Sequence, residues 1–128
     1  MTRKPIRTDA APAAIGPYSQ AIEVTAGKLV FVSGQIPIDP ATGNKIDGDA
    51  ADQTEQVMKN LTAVLAAAGL TLDNVVKTTI FVTDLGAFKS INEAYGKFFE
   101  GDPPARATVQ VSALPLGVDV EIECVAAG

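Results

Sequence analysis

The sequence predicts an α/β fold of the α+β two-layer sandwich type, with a mixed sheet and two helices on one face. Five strand-like segments and two helical stripes follow one another in the order ββαβαββ. This number of strands and helices is typical of a two-layer sandwich. At 128 residues, with no linker or repeat, the chain is predicted to form a single domain over residues 1–128. Residues 1–12 are interpreted as a loosely held N-terminal arm.

The first two strands are predicted near residues 20–25 and 28–33. Ala26-Gly27 between them is typical of a turn, so the pair is interpreted as a hairpin that stops at Gly34. The first helix is predicted over residues 52–68, because Asp52 followed by Glu55 resembles a capping box and Gly69 can end a helix. Its apolar stripe is Val57, Leu61, Val64, Leu65 and Ala68.

The segment 75–82 is predicted to be a strand because it is rich in β-branched residues. A second helix starts at Thr83-Asp84 and ends near residues 101–104. The strand face assigned to the helices is Val76, Thr78, Ile80 and Val82, and the helix stripe is Phe88, Ile91, Tyr95 and Phe98. The other face of the strand is also fairly apolar, so we expect a second copy of the chain to cover it in a closed homo-oligomer.

The last two strands carry the candidates for chemistry. In the segment 103–111 a strand is predicted to start just after two prolines; side chains alternate along a strand, so Arg106, Thr108 and Gln110 share one face. The final strand, residues 118–125, has an apolar face and an acidic face that includes Glu121. If these strands lie near each other, the Arg106 guanidinium and the Glu121 carboxylate can line one cleft. The plainer reading is a surface ion pair worth ~0–1 kcal/mol.

Composition excludes several functional classes. The chain has no histidine, which removes Ser-His-Asp, Cys-His and two-histidine zinc sites. The net charge of −5, without a basic run, argues against nucleic-acid partners. No apolar run reaches the ~18 residues of a membrane span, and the one cysteine, Cys124, fits a buried position in a reducing compartment. We expect a cytoplasmic protein with no metal and no membrane partner.

Seven segments in order carry a resemblance to a known family. They are residues 13–20, 32–37, 39–43, 76–85, 91–95, 104–109 and 120–123. In this order and at this spacing they resemble the RidA (YjgF) family of reactive-intermediate imine deaminases, and the match extends over essentially the whole chain. The resemblance implies a chorismate-mutase-like fold and a homotrimer with ligand clefts between subunits. It also implies cofactor-free hydrolysis of 2-aminoacrylate and 2-iminopropionate to a 2-oxo acid and ammonia.

The resemblance also assigns roles to residues of this chain. The arginine matching Arg106 binds the substrate carboxylate, and the glutamate matching Glu121 handles the attacking water. Further residues matching the cleft lining are Tyr18, Ser33, Gly34, Phe88 and Asn92. Thr108 stands where many members have cysteine, at a position that mostly offers its backbone to the ligand. The connection at residues 100–103 is shorter than in some relatives, which can reshape the rim of the cleft.

These residue types suit the implied chemistry. An arginine stays charged and grips a carboxylate through two parallel hydrogen bonds, which fixes the imine carbon of a small anionic imine or 2-oxo acid. A nearby carboxylate can take a proton from water and return one to the leaving nitrogen. Taken without the resemblance, Tyr18, Ser33 and Asn92 fit packing, turn and solvated helix positions. Two alternatives stay open: a non-enzymatic trimeric small-carboxylate-binding or chaperone-like module and, disfavoured by the charge, a ribonuclease that inhibits translation.

Overall fold

The computed structural model describes all 128 residues and contains eight strands and two main helices. The strands are β1 (Thr2–Ile6), β2 (Ala21–Thr25), β3 (Leu29–Gln35), β4 (Ile38–Asp39), β5 (Asn44–Lys45), β6 (Val75–Val82), β7 (Ala105–Gln110) and β8 (Val120–Ala127). The helices are α1 (Ala50–Ala67) and α2 (Phe88–Gly96). The central sheet has the order β3-β8-β6-β7, in which only β6 and β7 run parallel. The predicted mixed sheet with two helices is confirmed.

The helix α1 begins at Ala50, two residues earlier than the sequence predicts. Asp49 is its N-cap: the Asp49 carboxylate accepts from the backbone N–H of Asp52 at 2.9 Å, and the Asp52 carboxylate accepts from the N–H of Asp49 at 3.2 Å. Asp52 is therefore the third helical residue of the capping box. The predicted stop is correct, because Gly69 has a φ of +76°, which glycine adopts without strain.

The core lies between α1, α2 and one face of the central sheet. Val57, Leu61 and Leu65 of the predicted α1 stripe are buried, whereas Val64 is 39% exposed and lies outside the core. From the sheet, Ile80 of β6 and Ile122 of β8 are fully buried. Burying a large aliphatic side chain contributes ~1.5–3 kcal/mol, so this layer accounts for much of the stability of the fold.

A β-bulge in β6 changes which valine faces the helices. The register with β8 shifts between Val75 and Lys77. The extra residue reverses the alternation, so Val75 is 1% exposed and Val76 is only half-buried. The prediction that Val76 faces the helices is therefore wrong, while Thr78, Ile80 and Val82 lie on that face as predicted.

The N-terminal segment is more ordered than the sequence suggests. Residues 2–6, placed in a loosely held arm, form β1, which pairs antiparallel with β2. The Arg3 side chain also donates to the backbone carbonyl of Val75 through Nε and Nη2, both at 3.2 Å. The predicted hairpin of residues 20–25 with 28–33 is wrong, because β2 pairs with β1 whereas β3 pairs with β8.

The face of the central sheet that points away from the helices is apolar and uncovered; we call it the open face. Phe31 of β3 is 74% exposed, Leu29 is 56% exposed and Val109 of β7 is 42% exposed. The acidic side of β8 also lies here, since Glu121 pairs with Phe81 and Glu123 with Thr79 of β6. Neither helix is both long enough and apolar enough to cross a membrane.

Candidate active site

Arg106 projects from β7, the edge strand of the central sheet, toward α2. Its backbone pairs with Thr78 of β6, whose side chain is buried on the helix side. The Arg106 Nη1 donates to the Oδ1 of Asn92 on α2 at 2.7 Å. Because side chains alternate along β7, Arg106 and Thr108 lie on the helix side of the sheet, whereas Ala107 and Val109 lie on the open face.

Three aromatic rings surround the Arg106 guanidinium. Its Cζ lies 5.3 Å from the ring centre of Tyr18, 5.6 Å from that of Phe88 and 5.3 Å from that of Tyr95. These distances fall within the ~6 Å range of cation–π attraction, and each such contact is worth ~0.5–2 kcal/mol. The rings therefore hold the guanidinium in one place while they exclude water from part of it.

The surroundings of Arg106 act on its protonation in two directions. Burial lowers the pKa of the guanidinium from its ordinary value, and the nearby Tyr95 and Tyr18 oppose that effect. An arginine side chain nevertheless stays protonated in proteins. Neither of the two ion pairs of the chain, Arg7–Asp102 and Lys97–Glu55, involves Arg106. The site therefore holds a half-buried positive charge without a carboxylate partner.

The Arg106 side chain lines a cavity of about 230 Å³, which we call the arginine pocket. Its lining residues are Ile15, Gly16, Tyr18, Phe88, Asn92, Arg106 and Thr108. A carboxylate entering this pocket meets the guanidinium donors that Asn92 leaves free. Five of the residues named from the sequence, namely Tyr18, Phe88, Asn92, Arg106 and Thr108, are thus brought together by the fold.

The loop that carries Tyr18 is fastened to the start of β7. The backbone N–H of Ser19 donates to the Pro104 carbonyl at 3.2 Å, and its hydroxyl donates to the Pro103 carbonyl at 2.5 Å. The Tyr18 hydroxyl accepts from the backbone N–H of Ile15 at 3.3 Å. These bonds place the Tyr18 ring beside Arg106, although the two residues are far apart in sequence.

A second group of predicted residues lies elsewhere: Ser33, Gly34 and Glu121, which we call the glutamate patch. The register of β3 with β8 is irregular between Val32 and Gln35, so Ser33 and Gly34 form a bulge. A Cβ on Gly34 would overlap the Glu121 Oε2 and lie 2.8 Å from its Cδ. Only a glycine at position 34 therefore leaves room for the Glu121 carboxylate in this conformation.

The arginine pocket and the glutamate patch do not share one cleft within a single chain. The strand β6 separates β7 from β8, which puts the two backbones ~10 Å apart. Moreover, Arg106 points to the helix side and Glu121 pairs with Phe81 on the open face. The expectation of one cleft from neighbouring strands is wrong for the single chain, and so is the alternative of an ion pair between the two residues.

Three residues of the site were not predicted from the sequence. Ile15 and Gly16 line the arginine pocket without a distinctive side-chain signal. Tyr95 was interpreted as part of an apolar stripe, but its buried ring also faces the guanidinium. The signal that could have identified Tyr95 was helical spacing, because Phe88, Asn92 and Tyr95 stand at i, i+4 and i+7 on one face of α2.

No group of three or more Cys, Asp or Glu side chains is arranged to hold a metal ion.

Comparison with known proteins identifies the family. The family model described as Endoribonuclease L-PSP matches residues 8–128, so the chain belongs to this family, which is the YjgF/RidA family. It is 62% identical to Protein DfrA of Myxococcus xanthus, over 98% of this chain and 96% of that protein. It is 48% identical to the 2-iminobutanoate/2-iminopropanoate deaminase of Mus musculus, over 97% of this chain and 90% of that protein. The crystal structure of E. coli TdcF with bound serine has a TM-score of 0.76 and 45% identity, covering 98% of each chain.

Proposed function

We propose that this protein is a cofactor-free hydrolytic deaminase of small reactive enamines and imines, such as 2-aminoacrylate and 2-iminopropionate. One observation carries the proposal: the Arg106 guanidinium is half-buried, held by rings and Asn92, and unpaired with any carboxylate. Such a charge is suited to a small carboxylate ligand. The deaminase name of the mouse relative and the serine bound to TdcF are consistent with a site for small amino-acid derivatives.

The proposed reaction adds water to the imine and releases ammonia. Arg106 binds the substrate carboxylate, which fixes the C2 carbon; such orientation can contribute several of the ~7–11 kcal/mol available from positioning. A water oxygen bonds to C2 while the C=N π electrons move to nitrogen. The Glu121 carboxylate takes a proton from the water and returns it to the nitrogen. This gives a carbinolamine. Glu121 then takes the proton of its hydroxyl group and passes it to the nitrogen, so the C–N bond breaks, ammonia leaves with the bonding electron pair, and the oxygen forms the C=O of the 2-oxo acid.

The proposed mechanism needs Glu121 from a neighbouring subunit. Within one chain Glu121 lies on the open face, across β6 from Arg106. A homotrimer with clefts between its subunits would bring the glutamate patch of one chain against the arginine pocket of another. The exposed Phe31 and Leu29 support an assembly through the open face, since it would remove these side chains from water.

The test of the carboxylate clamp is an assay of ammonia and pyruvate from freshly generated 2-aminoacrylate. Arg106→Ala should lower kcat/KM by roughly 100-fold, because it removes charge-assisted bonds that orient the substrate. Arg106→Lys should recover only part of the loss, since lysine lacks the planar fork. Arg7→Ala is the matched control, an exposed arginine outside the pocket. Wild-type rates in both Arg106 variants would reject the clamp.

The proton-transfer role has its own variant and control. Glu121→Gln keeps the size of the side chain but removes the base, so kcat should fall by roughly 100-fold. Glu123→Gln is the matched control: it lies two residues along β8, on the same face, and is exposed. An unchanged rate in Glu121→Gln would remove this glutamate from the mechanism.

A non-enzymatic carboxylate-binding module is the second candidate function. The observation that favours it is the completeness of the arginine pocket within one chain, separate from Glu121. Saturable binding of 2-oxo acids that depends on Arg106, with no ammonia release above background, would select this alternative.

A further inference from the structure

One buried side-chain oxygen of the chain lacks a hydrogen-bond partner, and it lies in the wall of the arginine pocket. The atom is the hydroxyl oxygen Oγ1 of Thr108. Other buried hydroxyls are satisfied: that of Thr54 donates to the Ala50 carbonyl at 2.7 Å, and that of Thr78 lies 2.8 Å from the Tyr95 hydroxyl. A buried polar group without a partner is uncommon in native proteins and calls for a physical explanation.

The position of Thr108 relative to Arg106 supplies that explanation. The two residues are two apart on β7 and on the same face, so their Cβ atoms are ~6–7 Å apart. A 2-imino or 2-oxo acid carries its second polar atom on the carbon next to the carboxylate. With the carboxylate held by Arg106, that atom can extend along the strand toward residue 108.

We propose that Thr108 is a specificity-determining residue whose side-chain hydroxyl hydrogen-bonds to the C2 nitrogen or oxygen of the ligand. This inference rests on the proposed function of the arginine pocket, and it goes beyond a role for the backbone at this position. A threonine hydroxyl has one donor and two acceptor sites. It can therefore accept from the N–H of a 2-imino acid and donate to the carbonyl of the 2-oxo acid product. A carboxylic acid without a C2 heteroatom leaves the hydroxyl unpaired.

The proposal predicts opposite changes in stability and binding. Thr108→Val keeps the branched shape and removes the unpaired hydroxyl, so the free protein should have an equal or higher Tm. Ligands with a C2 heteroatom should bind more weakly to the same variant. The control Thr54→Val removes a hydroxyl that is already paired in the core, so it should lower Tm and leave ligand binding unchanged.

The experiment compares two ligands that differ only at C2: 2-oxobutanoate and butyrate. Their Kd values are measured by NMR titration for the wild type and for Thr108→Val, Thr108→Ser and Thr108→Cys. We expect Thr108→Val to raise the Kd of 2-oxobutanoate by roughly tenfold and to change the Kd of butyrate by less than about twofold. Thr108→Ser keeps the hydroxyl and should bind 2-oxobutanoate like the wild type. Thr108→Cys should resemble Thr108→Val, because a thiol is a weak donor.

Several outcomes would overturn the inference. Equal losses for both ligands would assign the effect to pocket shape, and no loss for either would show that the hydroxyl does not touch the ligand. A lower Tm or an altered oligomer mass in Thr108→Val would give the hydroxyl a structural partner instead. The proposed function can fail separately. If the wild type releases no ammonia from 2-aminoacrylate while Thr108→Val still loses affinity for 2-oxobutanoate alone, the Thr108 hydroxyl contacts the C2 heteroatom of a ligand that is bound but not hydrolysed.

Discussion

At Arg106, the cost of burying a charge and the attraction of its surroundings work against each other. Burial lowers the pKa of the guanidinium, which shows that its charged form is less well solvated than in water. Three aromatic rings and the Asn92 carbonyl oxygen replace part of the lost hydration. None of these groups is negatively charged, so the positive charge remains available to an anionic ligand.

Variants of Asn92 test whether ligand binding requires that no negatively charged side chain lies beside Arg106. Asn92→Ala removes the 2.7 Å hydrogen bond to the Arg106 Nη1. It should raise the Kd of 2-oxobutanoate roughly threefold to tenfold, because the guanidinium is less well oriented. Asn92→Asp can keep the hydrogen bond but adds a carboxylate that competes with the ligand, so its affinity should fall further than that of Asn92→Ala. Kd values from NMR titration decide the order. Wild-type affinity in Asn92→Asp would contradict the need for an unpaired charge.

Individual site residues were only partly predictable from the sequence. The alternation along β7 correctly put Arg106 and Thr108 on one face, and the family motifs pointed to Tyr18, Phe88 and Asn92. The relation of Arg106 to Glu121 was not predictable, because it depends on β6 lying between their strands. Strand order comes from long-range pairing, which the pattern within each strand does not encode.

At the scale of elements, local signals located the helices better than the strand pairings. The two acidic pairs Asp49/Asp52 and Asp52/Glu55 have the same spacing of three, so the capping pattern alone could not choose between them. The bulge at Val75–Lys77 reversed the alternation of β6 at one end. Such a bulge follows from pairing with β8, and the isolated segment gives no sign of it.

The contact between α2 and β6 gives a pH-dependent prediction. Burial raises the pKa of Tyr95 to about 12, although the hydrogen bond with Thr78 acts in the opposite direction. A pKa above the unfolded value of 10.0 means that the neutral phenol stabilises the fold. This contribution is fully present below pH 10 and is lost as the pH rises toward 12. The stability difference between the wild type and Tyr95→Phe should therefore shrink by about 2 kcal/mol by pH 12.

Urea unfolding of both proteins between pH 8 and pH 12 measures this difference. At pH 8, Tyr95→Phe should be ~1–3 kcal/mol less stable, because Thr78 Oγ1 is left buried without a partner. The double variant Thr78→Val with Tyr95→Phe removes both hydroxyls and should recover much of that loss. If the difference in free energy of unfolding between the wild type and Tyr95→Phe stays constant across the pH range, the protonation of Tyr95 is not coupled to folding.

At the scale of the whole molecule, the separation of the arginine pocket from the glutamate patch and the exposure of the open face share one proposed explanation, which is assembly with other copies of the chain. The sheet leaves Phe31 and Leu29 in water, and the same face carries Glu121. An assembly that buried these apolar side chains would also move the glutamate patch to an interface between subunits. A single sequence can indicate an apolar second face, as β6 did, but the symmetry of the assembly that covers it is a property of several chains.

Mixing two impaired variants tests whether the site is shared between subunits. Arg106→Ala supplies an intact Glu121, and Glu121→Gln supplies an intact Arg106. If each site takes one residue from each of two neighbouring chains, random co-assembly at equal amounts restores about a quarter of the sites. Co-expressed, differently tagged chains should then release ammonia from 2-aminoacrylate much faster than either variant alone, since each variant alone is expected to be slower than the wild type by roughly 100-fold. The matched control pairs Arg106→Ala with the double variant Arg106→Ala/Glu121→Gln, which leaves no intact arginine. Mixed oligomers no more active than this control would contradict a site shared between subunits.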